Sequence, residues 1–85
     1  MAEHLASHLT HAYILITADP TRTEAIVERL EAISSARVHE VLGPYDIVLE
    51  VETEALEYVA QILRDKVRPI PGVTSTVTCT WIERL

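Results

Sequence analysis

The chain has 85 residues, of which 48% are hydrophobic and 24% charged, and its formal net charge is −6. A chain this short forms one domain with a modest core, because it buries only about 60–65% of the surface its unfolded form exposes, so association would help it. Seven basic residues scattered among thirteen acidic ones argue against direct DNA binding by this chain alone, and no apolar run approaches the ~18 residues of a membrane span.

The opening MAEHLASHLTH has no basic end followed by an apolar stretch, so it does not read as a secretory signal. It reads as a leader over residues 1–11, with the domain over 12–85. His4 and His8 stand one helical turn apart and His11 follows. Without a nearby Cys, Asp or third fixed ligand they make a poor metal site, and solvated leader residues are the expectation. Leu5 and Leu9 could dock this leader on a partner.

AYILIT (12–17) is apolar and β-branched and predicts a buried strand. DPT ends it, and Thr21 with Glu24 fits a capping box opening a helix. Ile26, Leu30 and Ile33 recur at helical spacing, with Val27 widening the stripe. ARVHEVL (36–42) predicts a second strand exposed on one face.

GPYDIVLEVE (43–52) poses the central question. Gly43 and Pro44 suit a turn. Ile47, Leu49 and Val51 form one face of the following strand; Val48, Glu50 and Glu52 form the other. Tyr45 and Asp46 stand on the lip. Asp46 is either a turn carboxylate bonding to nearby amides or a ligand contact, and Tyr45 either packs over the hairpin or touches a ligand.

Thr53 is the expected N-cap of a second helix whose stripe is Leu56, Val59, Ala60, Leu63 and Val67. PIPG (69–72) breaks it. VTSTVTCTWI (73–82) is the last strand, with Thr74, Thr76, Thr78 and Thr80 on one side, and Val73, Ser75, Val77, Cys79 and Trp81 on the other. Cys79 cannot form an internal disulfide, which suits a reducing cytoplasm, and it reads as a small buried hydrophobe. Trp81 reads as a core or interface anchor.

The order βαββαβ predicts an α+β, ferredoxin-like fold, a four-stranded antiparallel sheet with both helices on one face. The other face would show Tyr13, Leu15, Val48 and, depending on register, the threonine row. It offers on the order of 400 Å², enough for a contact surface. No phosphate loop, nucleophile elbow or paired catalytic carboxylate stands in the sequence. Glu50 and Glu52 read as a solvated edge pair, and no catalytic residue, cofactor or metal is expected.

AYILITADPTRTEAIVERLEAI, VLGPYDIVLEVET and RPIPGVTSTVT together resemble the effector-binding (RAM) domain of the Lrp/AsnC regulator family, over residues 12 to 82. The resemblance implies a dimeric α+β barrel type of domain that pairs through its sheet, often builds rings of dimers, and binds an amino acid or similar metabolite between subunits. It implies a ligand site at Gly43, Pro44, Tyr45 and Asp46, with Ser75, Thr76 and Thr78 from the last strand of a neighbour. Turn amides can donate to an α-carboxylate, Asp46 or a carbonyl can accept from an ammonium, and threonine hydroxyls can serve either. Pro44 departs from the more usual polar residue and removes one amide donor.

Full-length members carry a DNA-reading helix-turn-helix ahead of this domain, and eleven leading residues are too few for one. A stand-alone form acting through a partner regulator is the expectation. Two alternatives share the element order. A small oxygenase or isomerase would need polar groups such as His39 or Trp81 converging in the core. An ACT-like regulatory domain would have a Gly-rich turn where this chain has ADPTRT.

Overall fold

A computed structural model describes residues 9–82. The readings placed on His4, Leu5 and His8 lie outside the described residues. Strand β1 runs Thr10–Ala18, helix α1 Thr23–Glu31, β2 Ala36–Glu40, β3 Ile47–Thr53, α2 Leu56–Ile62, and β4 Val73–Ile82. The sheet order is β2-β3-β1-β4 and all pairings are antiparallel. This is the ferredoxin-like α+β arrangement that the element order predicts.

Alternation sorts the central strands. Ala12, Ile14 and Ile16 of β1 pair with Val51, Leu49 and Ile47 of β3, and all six are buried. Directly opposed residues share a face, so these six make the core side of the sheet. Ile26 and Leu30 of α1, Val59 of α2, and Val67 and Ile70 beyond it cover that side in one cluster. The buried stripe of α2 differs from the expected one. Leu56 is exposed and Ala60 also faces out, while Ile62 joins the expected Leu63 against the core. The helix widens over Leu63–Val67, where the Arg68 amide bonds the Leu63 carbonyl at 2.9 Å. Val67, at the end of this wider turn, is fully buried.

Both helix starts depart from expectation. The Thr21–Glu24 capping box does not form. Asp19 instead opens a short 3₁₀ turn, Pro20–Arg22, accepting at Oδ1 from the Thr21 amide and the Thr21 hydroxyl, each at 2.9 Å. These bonds, the amide first, hold the Asp19 carboxyl below its ordinary value; Arg22 adds a smaller pull and desolvation opposes. Aspartate before proline is a strong local turn former, and it captures the amide first. Thr53 is the last residue of β3, and its hydroxyl donates to the Ala55 carbonyl at 2.8 Å, so it does not cap α2.

The entry to β4 is irregular. The pairing of β1 with β4 shifts between Thr17 and Ala18, so that Thr17 opposes Ser75 and Ala18 opposes Val73. Thr74 is the extra residue, and its hydroxyl closes the bulge onto the Thr17 carbonyl at 3.0 Å. The bulge returns Val73 to the core side, contrary to simple alternation. Just before it, Gly72 has φ 100° and a Cβ there would meet the Arg22 Cβ at 2.7 Å. Glycine is required for both reasons.

Beyond the bulge, Thr76, Thr78 and Thr80 oppose Ile16, Ile14 and Ala12. The threonine row therefore lies on the helix side of the sheet, not on the open face. The open face takes Val77, Cys79 and Trp81, and Cys79 is exposed, correcting its reading as a buried hydrophobe.

Candidate functional site

The β2–β3 hairpin closes with the Val41 amide on the Asp46 carbonyl at 3.1 Å, leaving Leu42, Gly43, Pro44 and Tyr45 as its tip. Leu42 is fully exposed. Gly43 has φ 155° with open space around it, so its role is conformational. The Tyr45 ring is half-buried.

Asp46 has a definite structural task. The backbone pairing of β1 with β3 ends at Ile16 and Ile47, with the Asp46 amide donating to the Ile16 carbonyl at 2.9 Å. The next inward amide of β1, that of Ala18, has no strand left to meet. Asp46 Oδ2 accepts it at 2.8 Å. The carboxylate replaces the carbonyl that the turn has carried away, and an unmet partly buried amide would otherwise cost free energy. The turn reading of Asp46 is correct in kind, but the amide lies 28 residues away.

Its other oxygen, Oδ1, makes no hydrogen bond among the described residues. Asp46 also lines a concavity of about 340 Å³, together with Pro20, Thr23, Glu40, Val41 and Leu42. Two carboxylates and a hydroxyl line it, with no basic side chain among the described residues. Chemically this suits an ammonium group and disfavours a lone anion.

The remaining residues suggested for the site do not gather there within one copy. Thr76 and Thr78 lie on β4, two strand spacings from β3, or roughly 10 Å. Ser75 opposes Thr17 on the open face, so it cannot share a surface with Thr76 and Thr78. Thr78 has a distinct feature: its hydroxyl is enclosed and finds no hydrogen-bond partner among the described residues.

Sequence reasoning missed most of the polar content of the open face. His11 is not a leader residue; it lies within β1, opposite Glu52 on β3 and Trp81 on β4. Its Nδ1 is 3.4 Å from Glu52 Oε2, and its ring stacks on Trp81 at 5.3 Å and 13°. Tyr13 meets the same indole at 5.1 Å. His39 Nε2 is 3.2 Å from Glu50 Oε1. Glu50 and Glu52 are therefore not an edge pair: β3 is an inner strand, and each carboxylate has an imidazole from a flanking strand. The period-two pattern of β2 and β3 held the signal, but only the register reveals the partners. The apolar part of this face is Leu15, Val48, Val77, Tyr13 and Trp81, of which Tyr13, Val77 and Trp81 are 40%, 44% and 43% exposed. His39 and Trp81 thus face away from the core, so the polar core cluster that an oxygenase or isomerase would need is not formed by them.

Comparison with known proteins agrees with this geometry. The model of the Lrp/AsnC ligand binding domain matches residues 11–85. An uncharacterised HTH-type transcriptional regulator of Pyrococcus horikoshii is 39% identical over 74 residues, covering 81% of this chain and 49% of that protein. The chain thus spans about half the length of the curated relatives it matches. Among solved structures, a Thermus thermophilus protein superposes with a TM-score of 0.83 at 25% identity, covering 89% of this chain and 96% of that one. A feast or famine regulatory protein from M. tuberculosis superposes at 0.74 with 24% identity, covering 95% of this chain and 55% of that one. With its fold, its hairpin and a family match over nearly its whole length, this chain belongs to the Lrp/AsnC ligand binding domain family.

Proposed function

We propose that this domain is a non-enzymatic sensor of a small zwitterion, with a free amino acid as the ligand class, and that its binding site is completed by another copy of the chain. The carrying observation is the half-built polar notch at the hairpin. Asp46 Oδ1 and Glu40 offer acceptors for an ammonium, but no basic side chain among the described residues lines the notch to meet the carboxylate. Donors for that end would be the Gly43 and Tyr45 amides and the hydroxyl of Thr76 from a neighbour, with the enclosed Thr78 hydroxyl reachable only if β4 shifts; Pro44 shapes the tip without donating. A zwitterion held without such partners would cost several kcal/mol. Ser75, on the opposite face, has no part in this arrangement. The M. tuberculosis relative was solved with L-methionine, which is consistent with the ligand class.

Assembly would use the open face. Its exposed Tyr13, Val77 and Trp81 surround Leu15 and Val48, an apolar patch that two copies can bury against each other. A homodimer built this way can extend to a ring of dimers through the hairpin tips, where Leu42 projects. The output would be modulation of transcription, through a regulator carrying a DNA-reading domain, in the cytoplasm. Among the described residues no helix is long and apolar enough to cross a membrane.

The test is a titration of the twenty amino acids, following melting temperature and mass in solution. A ligand at about a hundred times its Kd adds ~2.7 kcal/mol, a rise of roughly 10–20 °C for a domain this small. A chain that stays monomeric at high concentration, with no amino acid moving either observable, ends this reading.

A further inference from the structure

The open face pairs each of its two carboxylates with an imidazole. From this we infer that face-to-face assembly is coupled to proton uptake, with His11 and His39 as the sensing groups; this rests on the assembly proposed above.

On the open face, His39 of β2 is flanked by Arg37 on its own strand, and by Val48 and Glu50 on β3. His11 of β1 is flanked by Tyr13 on its own strand, by Glu52 on β3 and by Trp81 on β4. Both helices pack on the other side of the sheet and bring no charge to these rings. With both imidazoles neutral, the described residues of one copy present two carboxylates against a single fixed cation, Arg37. Closing two such faces together removes water from unbalanced carboxylates, which is unfavourable and is also repulsive between copies. Glu50 lies directly opposite Arg37, so the carboxylate without a fixed cation across the strands is Glu52. One proton per copy balances the described charges of the face, and a histidinium at His11 or His39 makes a charge-assisted pair with Glu52 or Glu50. The dimer therefore tightens as the pH falls and these imidazoles take up protons, and loosens as it rises.

The experiment is sedimentation equilibrium at constant ionic strength between pH 6 and pH 8 on the full chain. Three proteins are compared: the native chain, Glu50→Gln/Glu52→Gln, and His11→Asn/His39→Asn. All the changes are polar, near-isosteric and on the open face. The native dimer is expected to weaken about a hundredfold across the range, the effect of one proton taken up per dimer on average over two pH units. The glutamine variant should stay tight at pH 8 and lose most of the slope. The asparagine variant retains His4 and His8 and reports the general effect of net charge; its slope should also be small. A native slope absent or reversed, or one that both variants keep in full, overturns the inference. A pH-independent dimer overturns this inference alone, whereas a monomer at every pH overturns the assembly as well.

Discussion

The two faces of the sheet have the same strands and opposite composition. On the helix side, β1 and β3 place Ala12, Ile14, Ile16, Ile47, Leu49 and Val51 under both helices, all of them buried. On the other side the same strands place Tyr13, Leu15, Val48, Glu50 and Glu52, and the flanking strands add Arg37, His39, Val77 and Trp81. Those six side chains of the first face can be satisfied only by other apolar groups. The second face mixes large exposed rings with acid–imidazole pairs. An interior needs only apolar fit, whereas a surface that must be wet in one state and covered in another needs polar groups able to find partners in both. One face makes the domain; the other is available for contact.

Neighbouring residues of β3 give the sharpest way to break that division. Leu49→Ala should lose about 2–5 kcal/mol in denaturant unfolding, since it deletes a fully buried side chain. That is a large part of the roughly 5–15 kcal/mol typical of a domain. Val48→Ala, one residue earlier and on the open face, should change monomer stability by less than about 1 kcal/mol while weakening self-association several-fold in sedimentation. Equal losses from both substitutions would erase the distinction between the faces.

At the rim where the faces meet, Asp46→Ala should cost about 1–3 kcal/mol because the Ala18 amide loses its acceptor. Asp46→Asn keeps an acceptor oxygen and should recover much of this, as read from melting curves without added metabolite. If Asp46→Ala leaves the free domain's stability unchanged but abolishes amino-acid binding, the carboxylate serves the ligand alone. Asp19 gives the smallest effect. Its folded-state pKa is depressed, so its contribution is present in full above the unfolded value of about 3.9 and is lost as the pH falls through the lower folded value. Asp19→Asn should lower the melting temperature slightly at neutral pH, and the difference from the native chain should shrink towards about pH 2.

Local information in the chain is enough for much of this. The alternation of Ile47, Leu49 and Val51 against Val48, Glu50 and Glu52 assigns both faces of β3 before any pairing is known. The spacing of Ile26, Leu30 and Ile33 does the same for α1. Both signals survive because burial of an apolar stripe dominates the energetics of these elements. The candidate site was less legible. The tip residues Gly43, Pro44 and Tyr45 announce a turn, but the acceptor role of Asp46 depends on where β1 stops pairing with β3. The threonines alternate as cleanly as any strand, yet their face follows from the bulge at Thr74. His11 carries no local mark that it belongs to a strand at all.

The sequence by itself determined the order of elements, the apolar side of each central strand and the turn at residues 43–46. These depend on residues a few positions apart, whose backbone preferences and burial act locally. Tertiary structure alone decided which amide Asp46 satisfies, which face receives Thr76 and Thr78, that Cys79 is exposed, and which histidine meets which glutamate. Those outcomes depend on strand register, a relation between segments far apart in the chain, and a shift of one residue reverses every side chain beyond it.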